Sequence, residues 1–170
     1  MSWLYCPRCY EVNGREAKYC ARCGAPLRGE TGENYVERLI WALHHPQGET
    51  AVRAAGILGK LGAVEAVEPL SELVEDGAAD PYLRAAAVSG LGAIGDERAR
   101  KTLENALRNG PVQVRLAAVE ALERLGPSEG TLDLLREVSR EGGGRVGDAA
   151  RDLLARWSGG CGMMEGVILA

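Results

Sequence analysis

The 170-residue chain predicts an all-α fold, an α-α solenoid, with a small cysteine-bearing module at its N-terminal end. Three observations lead there. From residue 34 onward, an Ala- and Leu-rich pattern returns at Leu58, Leu91 and Leu122. The chain has no phenylalanine and only 5% aromatic residues. Bulk must come from Leu, Val, Ile and Ala, which suits closely packed helices better than a sheet. Four of the five cysteines fall in the first 23 residues. A hydrophobic fraction of 46% excludes wholesale disorder. No apolar stretch approaches the ~20 residues that span a bilayer, so no membrane role is expected. The start, Met1 to Cys6, lacks the basic and apolar regions of a secretory signal, which points to the cytoplasm. A net charge of −4 gives no global attraction to nucleic acid.

The cysteines form two CxxC pairs, Cys6-Pro7-Arg8-Cys9 and Cys20-Ala21-Arg22-Cys23, separated by ten residues. In a CxxC turn two thiolates converge on one ion while backbone amides point at the sulfurs. Two such turns complete a tetrahedral soft-ligand site, the donor set that suits one structural Zn²⁺. Pro7 stiffens the first turn, and Gly24 permits a left-handed backbone after the second. The competing readings are two disulfides, which need an oxidising compartment, and a redox CxxC, which needs a larger α/β unit. With all four positions filled by cysteine, the site has no open place for catalytic water.

Tyr5 to Leu27, YCPRCYEVNGREAKYCARCGAPL, resembles the short prokaryotic zinc-ribbon module. The resemblance rests on CPxC, on Lys18-Tyr19 before the third cysteine, and on Gly24-Ala25-Pro26-Leu27 after the fourth. Tyr10 departs from it, standing where that family usually has glycine. The resemblance implies a fold staple that binds nucleic acid, binds protein, or caps a larger chain. Residues 1–30 carry +2, from Arg8, Arg15, Lys18, Arg22 and Arg28 against three glutamates, and residues 31–170 carry −6. Four thiolates on one divalent ion would cancel the surplus near the metal.

In the repeat, Leu58 to Gly62, Leu91 to Gly95 and Leu122 to Gly126 align, the second offset slightly shorter than the first. An Ala-rich stretch precedes each, and a second amphipathic stretch follows, with Leu70, Leu103 and Leu134 in register. This period of about 32 residues, read as helix-turn-helix, marks a solenoid whose units bury apolar faces only against their neighbours. Asp80-Pro81 and Gly110-Pro111 place proline where a first helical turn tolerates it. Ser128 stands at an N-cap position. Gly62, Gly95 and Gly126 stand where a left-handed C-cap is wanted. The expected helices are a half-repeat at 34–45, pairs at 49–61 with 65–76, 81–94 with 97–109 and 111–125 with 129–140, and a last helix at 146–157. Ala54, Ala55, Ala86, Ala87, Ala117 and Ala118 allow close helix approach, and Gly90-Leu91-Gly92 reads as packing inside a helix.

The motif VR-x-A-A-x-x-A-L-x-x-L-G, best kept from Val114 to Gly126, resembles HEAT-like repeats of the phycobilin lyase type. The resemblance implies a right-handed armadillo/HEAT-like superhelix over residues 34–157. In the first copy Val52-Arg53 sits two residues closer to its Leu-Gly pair than in the others. The di-iron members of that group use His-Glu dyads. Here only His44 and His45 occur, with no neighbouring glutamate, so that chemistry is not expected and the protein reads as no enzyme. No GxSxG, GxxxxGK[ST], HExxH or GxGxxG pattern occurs.

Family usage implies that the second helices line the concave face, where the register predicts an outward set. That set is Glu68, Glu72 and Glu75, then Lys101, Asn105 and Arg108, then Leu132, Leu135 and Arg136. A nucleic-acid groove wants basic residues throughout with interleaved aromatics, and this run has neither. A protein or peptide partner fits better. The expected organisation is a zinc ribbon at 1–28, a linker at 29–33, the solenoid at 34–157, and a glycine-rich, apolar tail at 158–170. The tail is expected to cover the open end of the array, and Cys161 reads as an incidental free thiol. The expected role is a non-catalytic interaction adaptor. The alternatives are a nucleic-acid-associated ribbon protein that recruits a partner and, from resemblance alone, a bilin lyase-like chaperone.

Overall fold

A computed structural model describes residues 4–6, 9, 11–14, 16–24, 27, 35–141 and 144–159. Pro7, Arg8, Tyr10, Arg15, Arg28, the expected linker and the tail from Gly160 onward lie outside the described residues.

Among the described residues two short strands come first, β1 (Leu4–Tyr5) and β2 (Val12–Asn13), paired antiparallel with Leu4 opposite Asn13 and Tyr5 opposite Val12. Eight α-helices follow among the described residues: α1 (Tyr35–Ala42), α2 (Gly48–Leu61), α3 (Val67–Glu75), α4 (Pro81–Ile94), α5 (Arg100–Asn109), α6 (Val112–Leu125), α7 (Glu129–Glu141) and α8 (Arg145–Gly159). They stack as an all-α solenoid. None is long and apolar enough to cross a membrane.

The punctuation residues act largely as their chemistry demands. Asp80 caps α4, its Oδ1 accepting the Tyr82 N–H at 2.8 Å and the Leu83 N–H at 3.2 Å, and Pro81 takes the first helical position. Ser128 Oγ accepts the Thr131 N–H at 3.1 Å at the start of α7. Gly62 (φ 61°, ψ 34°) and Gly95 (φ 72°, ψ 21°) are left-handed C-caps. Gly126 differs: its φ is 86° but its ψ is 171°. Pro127 follows it, and the proline ring excludes helical ψ from the preceding residue. The second helices of the first two pairs also start differently from expectation. A 3-10 turn (Val64–Ala66, then Glu97–Ala99) leads into α3 and α5.

The pairing of helices departs from the sequence-based scheme. Within the array, antiparallel neighbours approach closest as α1–α2, α3–α4, α5–α6 and α7–α8, rather than α2–α3, α4–α5 and α6–α7. Among the described residues the array is therefore four hairpins, with neither a leading half-repeat nor a stray last helix. One layer holds α2, α4, α6 and α8; the other holds α1, α3, α5 and α7. The core runs continuously between them through Leu58, Leu70, Leu91, Leu103, Leu122 and Leu153, all fully buried. Each such leucine contributes roughly 1.5–3 kcal/mol of transfer free energy.

The repeat arginine has a defined task. Arg84 Nε donates to the Val74 carbonyl at 2.9 Å, and Arg115 Nε to the Leu107 carbonyl at 2.8 Å. Both carbonyls lie in the last turn of the preceding helix, where acceptors lack intrahelical partners and the dipole favours a cation. Arg53, the displaced copy, instead faces a cleft of about 570 Å³ with Glu49, Asp80 and Tyr82. Its place in register is taken by Ala51, fully buried.

Candidate metal centre and interaction face

The β1–β2 hairpin brings the first CxxC pair beside the second. The Cys6 N–H donates to the Glu11 carbonyl at 2.9 Å and closes the first loop. The Gly24 N–H donates to the Cys20 carbonyl at 2.9 Å, and Gly24 takes φ 72°, the left-handed turn expected after the second pair. As a result the sulfurs of Cys6, Cys9, Cys20 and Cys23 all lie within 4.8 Å of one another. Cys6 and Cys23 are 3.5 Å apart, and Cys9 and Cys20 3.4 Å. These separations far exceed a disulfide bond of about 2.05 Å, and none of the four cysteines is disulfide-bonded. They are close to the edge of a tetrahedron of sulfurs around one ion with ~2.3 Å bonds.

Backbone donors already face the sulfurs. The Cys9 N–H points to Cys6 Sγ at 3.5 Å, and the Arg22 N–H to Cys20 Sγ at 3.4 Å. The thiols titrate far apart. At Cys20 burial opposes ionisation, but the backbone N–H groups of Cys23 and Arg22 and the neighbouring thiols draw it down to about 6. At Cys9 the backbone bond at Glu11 favours the thiolate, yet burial and three adjacent thiols push it up to about 12. Ionising all four in so small a volume would need a cation to balance the charge. The four residues can hold a metal ion.

One supporting residue carried no signal in the CxxC motif. Asn13, buried at the end of β2, accepts the Ala21 N–H at 3.0 Å on Oδ1. Its Nδ2 donates to the Glu11 carbonyl at 2.7 Å and points at Cys20 Sγ, 3.8 Å away. It ties the first loop to the second knuckle, as residues behind metal ligands generally do. Its only sequence cue is an amide amid polar residues midway between the pairs.

The expected interaction face is mostly exposed, and it is also cross-linked. Glu68, Glu72, Glu75, Lys101, Asn105, Arg108 and Arg136 are exposed, and Leu132 is half-buried. Leu135 is the correction: it is 0% exposed and belongs to the core. It is in register with Glu104 of the preceding repeat rather than with Asn105, so it turns inward. Several of the others hold the layer together. Glu75 accepts the Thr102 hydroxyl at 3.1 Å, and Arg108 pairs with Glu137 at 3.2 Å. Arg136 pairs with Asp133 on its own helix at 2.8 Å. Buried Thr131 is a node: its hydroxyl donates to Glu104 at 2.6 Å and accepts from Arg100 Nη1 at 3.0 Å. His44 is exposed at the end of α1, and His45 Nδ1 accepts the Gln47 N–H at 3.0 Å in the turn that follows, a local structural bond.

No curated protein matches the chain. A family model describing HEAT repeats matches residues 36–123 and again 78–155. These spans overlap the four hairpins and together cover more than half of the sequence. The chain belongs to the HEAT-repeat family.

Proposed function

We propose that the protein is a non-catalytic, cytoplasmic interaction adaptor. One zinc ion folds its N-terminal ribbon, and the layer of α3, α5 and α7 recognises a protein partner. The observation that carries the metal half is the convergence of four cysteine sulfurs within 4.8 Å, a closed soft-ligand set. HEAT repeats commonly mediate protein interactions, which supports the other half. The charge sequence along the layer, acidic at Glu68 and Glu72 and basic at Lys101 and Arg108, suits a partner surface of matching alternation. It does not suit a uniformly anionic strand.

Purified under reducing conditions, the protein should carry one zinc per chain, with a four-sulfur coordination spectrum. Two disulfides and no metal would overturn the ribbon and the compartment together. Partner capture from the source organism should fail when Lys101 and Arg108 are both changed to Glu; unchanged capture removes this face from the reading. A salt-sensitive gel shift lost on Arg22→Ala would move the assignment to nucleic acid.

A further inference from the structure

The repeat arginines at 84 and 115 are used by the fold: they hold the Val74 and Leu107 carbonyls at the ends of α3 and α5. The end of α1 needs no such cation. There the N–H groups of Leu43, His44 and His45 donate to the Ile40, Trp41 and Ala42 carbonyls at 3.2, 3.1 and 3.1 Å, so the chain closes its own last turn. Arg53 is the displaced copy. Among the described residues its side chain makes no hydrogen bond, ion pair or ring contact.

It stands instead in the cleft of about 570 Å³ between the first turns of α2 and α4, a size within the ~300–1,000 Å³ of sites that take small ligands. The two helices touch further along, at Gly59 and Gly90. Val52 and Leu83, both half-buried, supply apolar wall, and Tyr82, 69% exposed, adds an aromatic ring open to solvent. The cation is particular to this pair of helices: the register that aligns Leu58 with Leu91 puts Ala86 in the place of Arg53.

The charge balance decides what fits. Two carboxylates also line the cleft, Glu49 and Asp80, and each already has a positive partner in the backbone. Asp80 Oδ1 accepts the Tyr82 and Leu83 N–H groups, and Glu49 lies in the first turn of α2, at the positive end of that helix. Arg53 sits in the second turn without such compensation. The uncompensated charge is therefore a guanidinium beside apolar side chains. A carboxylate matches its planar fork with two parallel hydrogen bonds and brings a single charge. A dianionic phosphate would crowd Glu49 and Asp80. A carboxylate next to an aliphatic side chain is the chemistry of an acidic, apolar peptide segment. An adjoining hollow of about 410 Å³, bordered by Gln47, Thr50 and again Arg53, lets such a segment continue past the guanidinium.

We propose that the α2–α4 cleft docks a short acidic, apolar segment of a protein partner. Arg53 holds its carboxylate, while Val52, Leu83 and Tyr82 pack its neighbouring aliphatic side chain. This surface lies on the opposite layer from α3, α5 and α7, so it goes beyond the adaptor reading and does not rest on it.

The test is an NMR titration of the full chain, purified under reducing conditions, with acetyl-Leu-Glu-Leu amide, its Gln and Lys counterparts, and inorganic phosphate. The Glu peptide should shift the amides of Gly48, Val52, Tyr82 and Leu83 and the Arg53 Nε resonance, and should bind about tenfold more tightly than the Gln peptide. Arg53→Gln should abolish that preference and leave helical circular dichroism unchanged, since the side chain makes no bond within the fold. Tyr82→Ala should weaken both peptides together. Equal binding of the Glu and Gln peptides by the parent, or no shifts at these amides, would sink the proposal. Tighter binding of the Lys peptide would overturn it by giving the cleft to a cation between Glu49 and Asp80. Phosphate binding as tight as that of the Glu peptide would overturn it in favour of a free anion.

Discussion

The two layers of the solenoid are held by different physics. In the layer of α2, α4, α6 and α8, helices meet backbone to backbone. A Cβ on Gly92 would fall 2.5 Å from the Ala121 Cβ, one on Gly59 would fall 2.9 Å from the Gly90 Cα, and one on Gly90 would fall 2.9 Å from the Ala55 carbonyl oxygen. In the layer of α1, α3, α5 and α7 the helices stand further apart. Thr102–Glu75, Arg108–Glu137 and the Thr131–Glu104–Arg100 cluster bridge α3, α5 and α7. A layer fixed by missing side chains tolerates almost no change at its contacts. A layer fixed by long polar side chains leaves most of its outer positions free. The broader surface available for recognition therefore lies where the spacing is wide.

The largest effect expected from this contrast is at Gly92. Gly92→Val should lower stability by about 3 kcal/mol or more, because the opposing atoms are Ala121 backbone and Cβ and cannot move aside. A loss well below that in denaturant unfolding would mean that the layers are not so distinct. Next, Thr131→Val should cost about 1–2 kcal/mol, since Glu104 and Arg100 lose a buried partner while the volume is kept. If Thr131→Val is neutral, the polar bridges do not hold the second layer. Gly56→Ala, in the same helix as Gly59 but with nothing within 4 Å of the added methyl, should stabilise by up to about 1 kcal/mol. Opposite signs at Gly56 and Gly92 would separate contact from propensity.

The smallest effect is a pH dependence. Asp96 is held down to about 2 by the side chain and the backbone N–H of Arg98. Its folded value lies below its ordinary 3.8. Its contribution is therefore present above that value and fades as pH falls toward 2. Asp96→Asn should flatten the acid limb of array stability between pH 4 and 2, followed by helical circular dichroism. An acid limb identical to that of the parent would show that this loop ion pair contributes nothing.

Much of the array was legible in the sequence because its determinants are local. Glycine ends, a proline start and the regular return of leucine require no knowledge of neighbours, and the helices fall within a few residues of expectation. The four cysteines were legible for the same reason: a CxxC turn is a local geometry, and two of them have few ways to meet. Asn13 was not, since its role depends on Ala21 arriving beside it. Leu135 was misplaced because a helical register gives an angle around one helix without saying which neighbour occupies it.

By itself the sequence determined the helical class, the repeat period, most of the caps and the four-cysteine cluster. These follow from backbone preference, apolar periodicity and donor chemistry, all carried by residues close in the chain. Only the tertiary structure decided that α3 folds onto α4 rather than α2, that Arg84 and Arg115 tie down preceding helices, and that Arg53 faces a cleft instead. Those depend on the direction in which each helix leaves its turn. A modest change of direction there, as at Gly126 before Pro127, selects one neighbour over another.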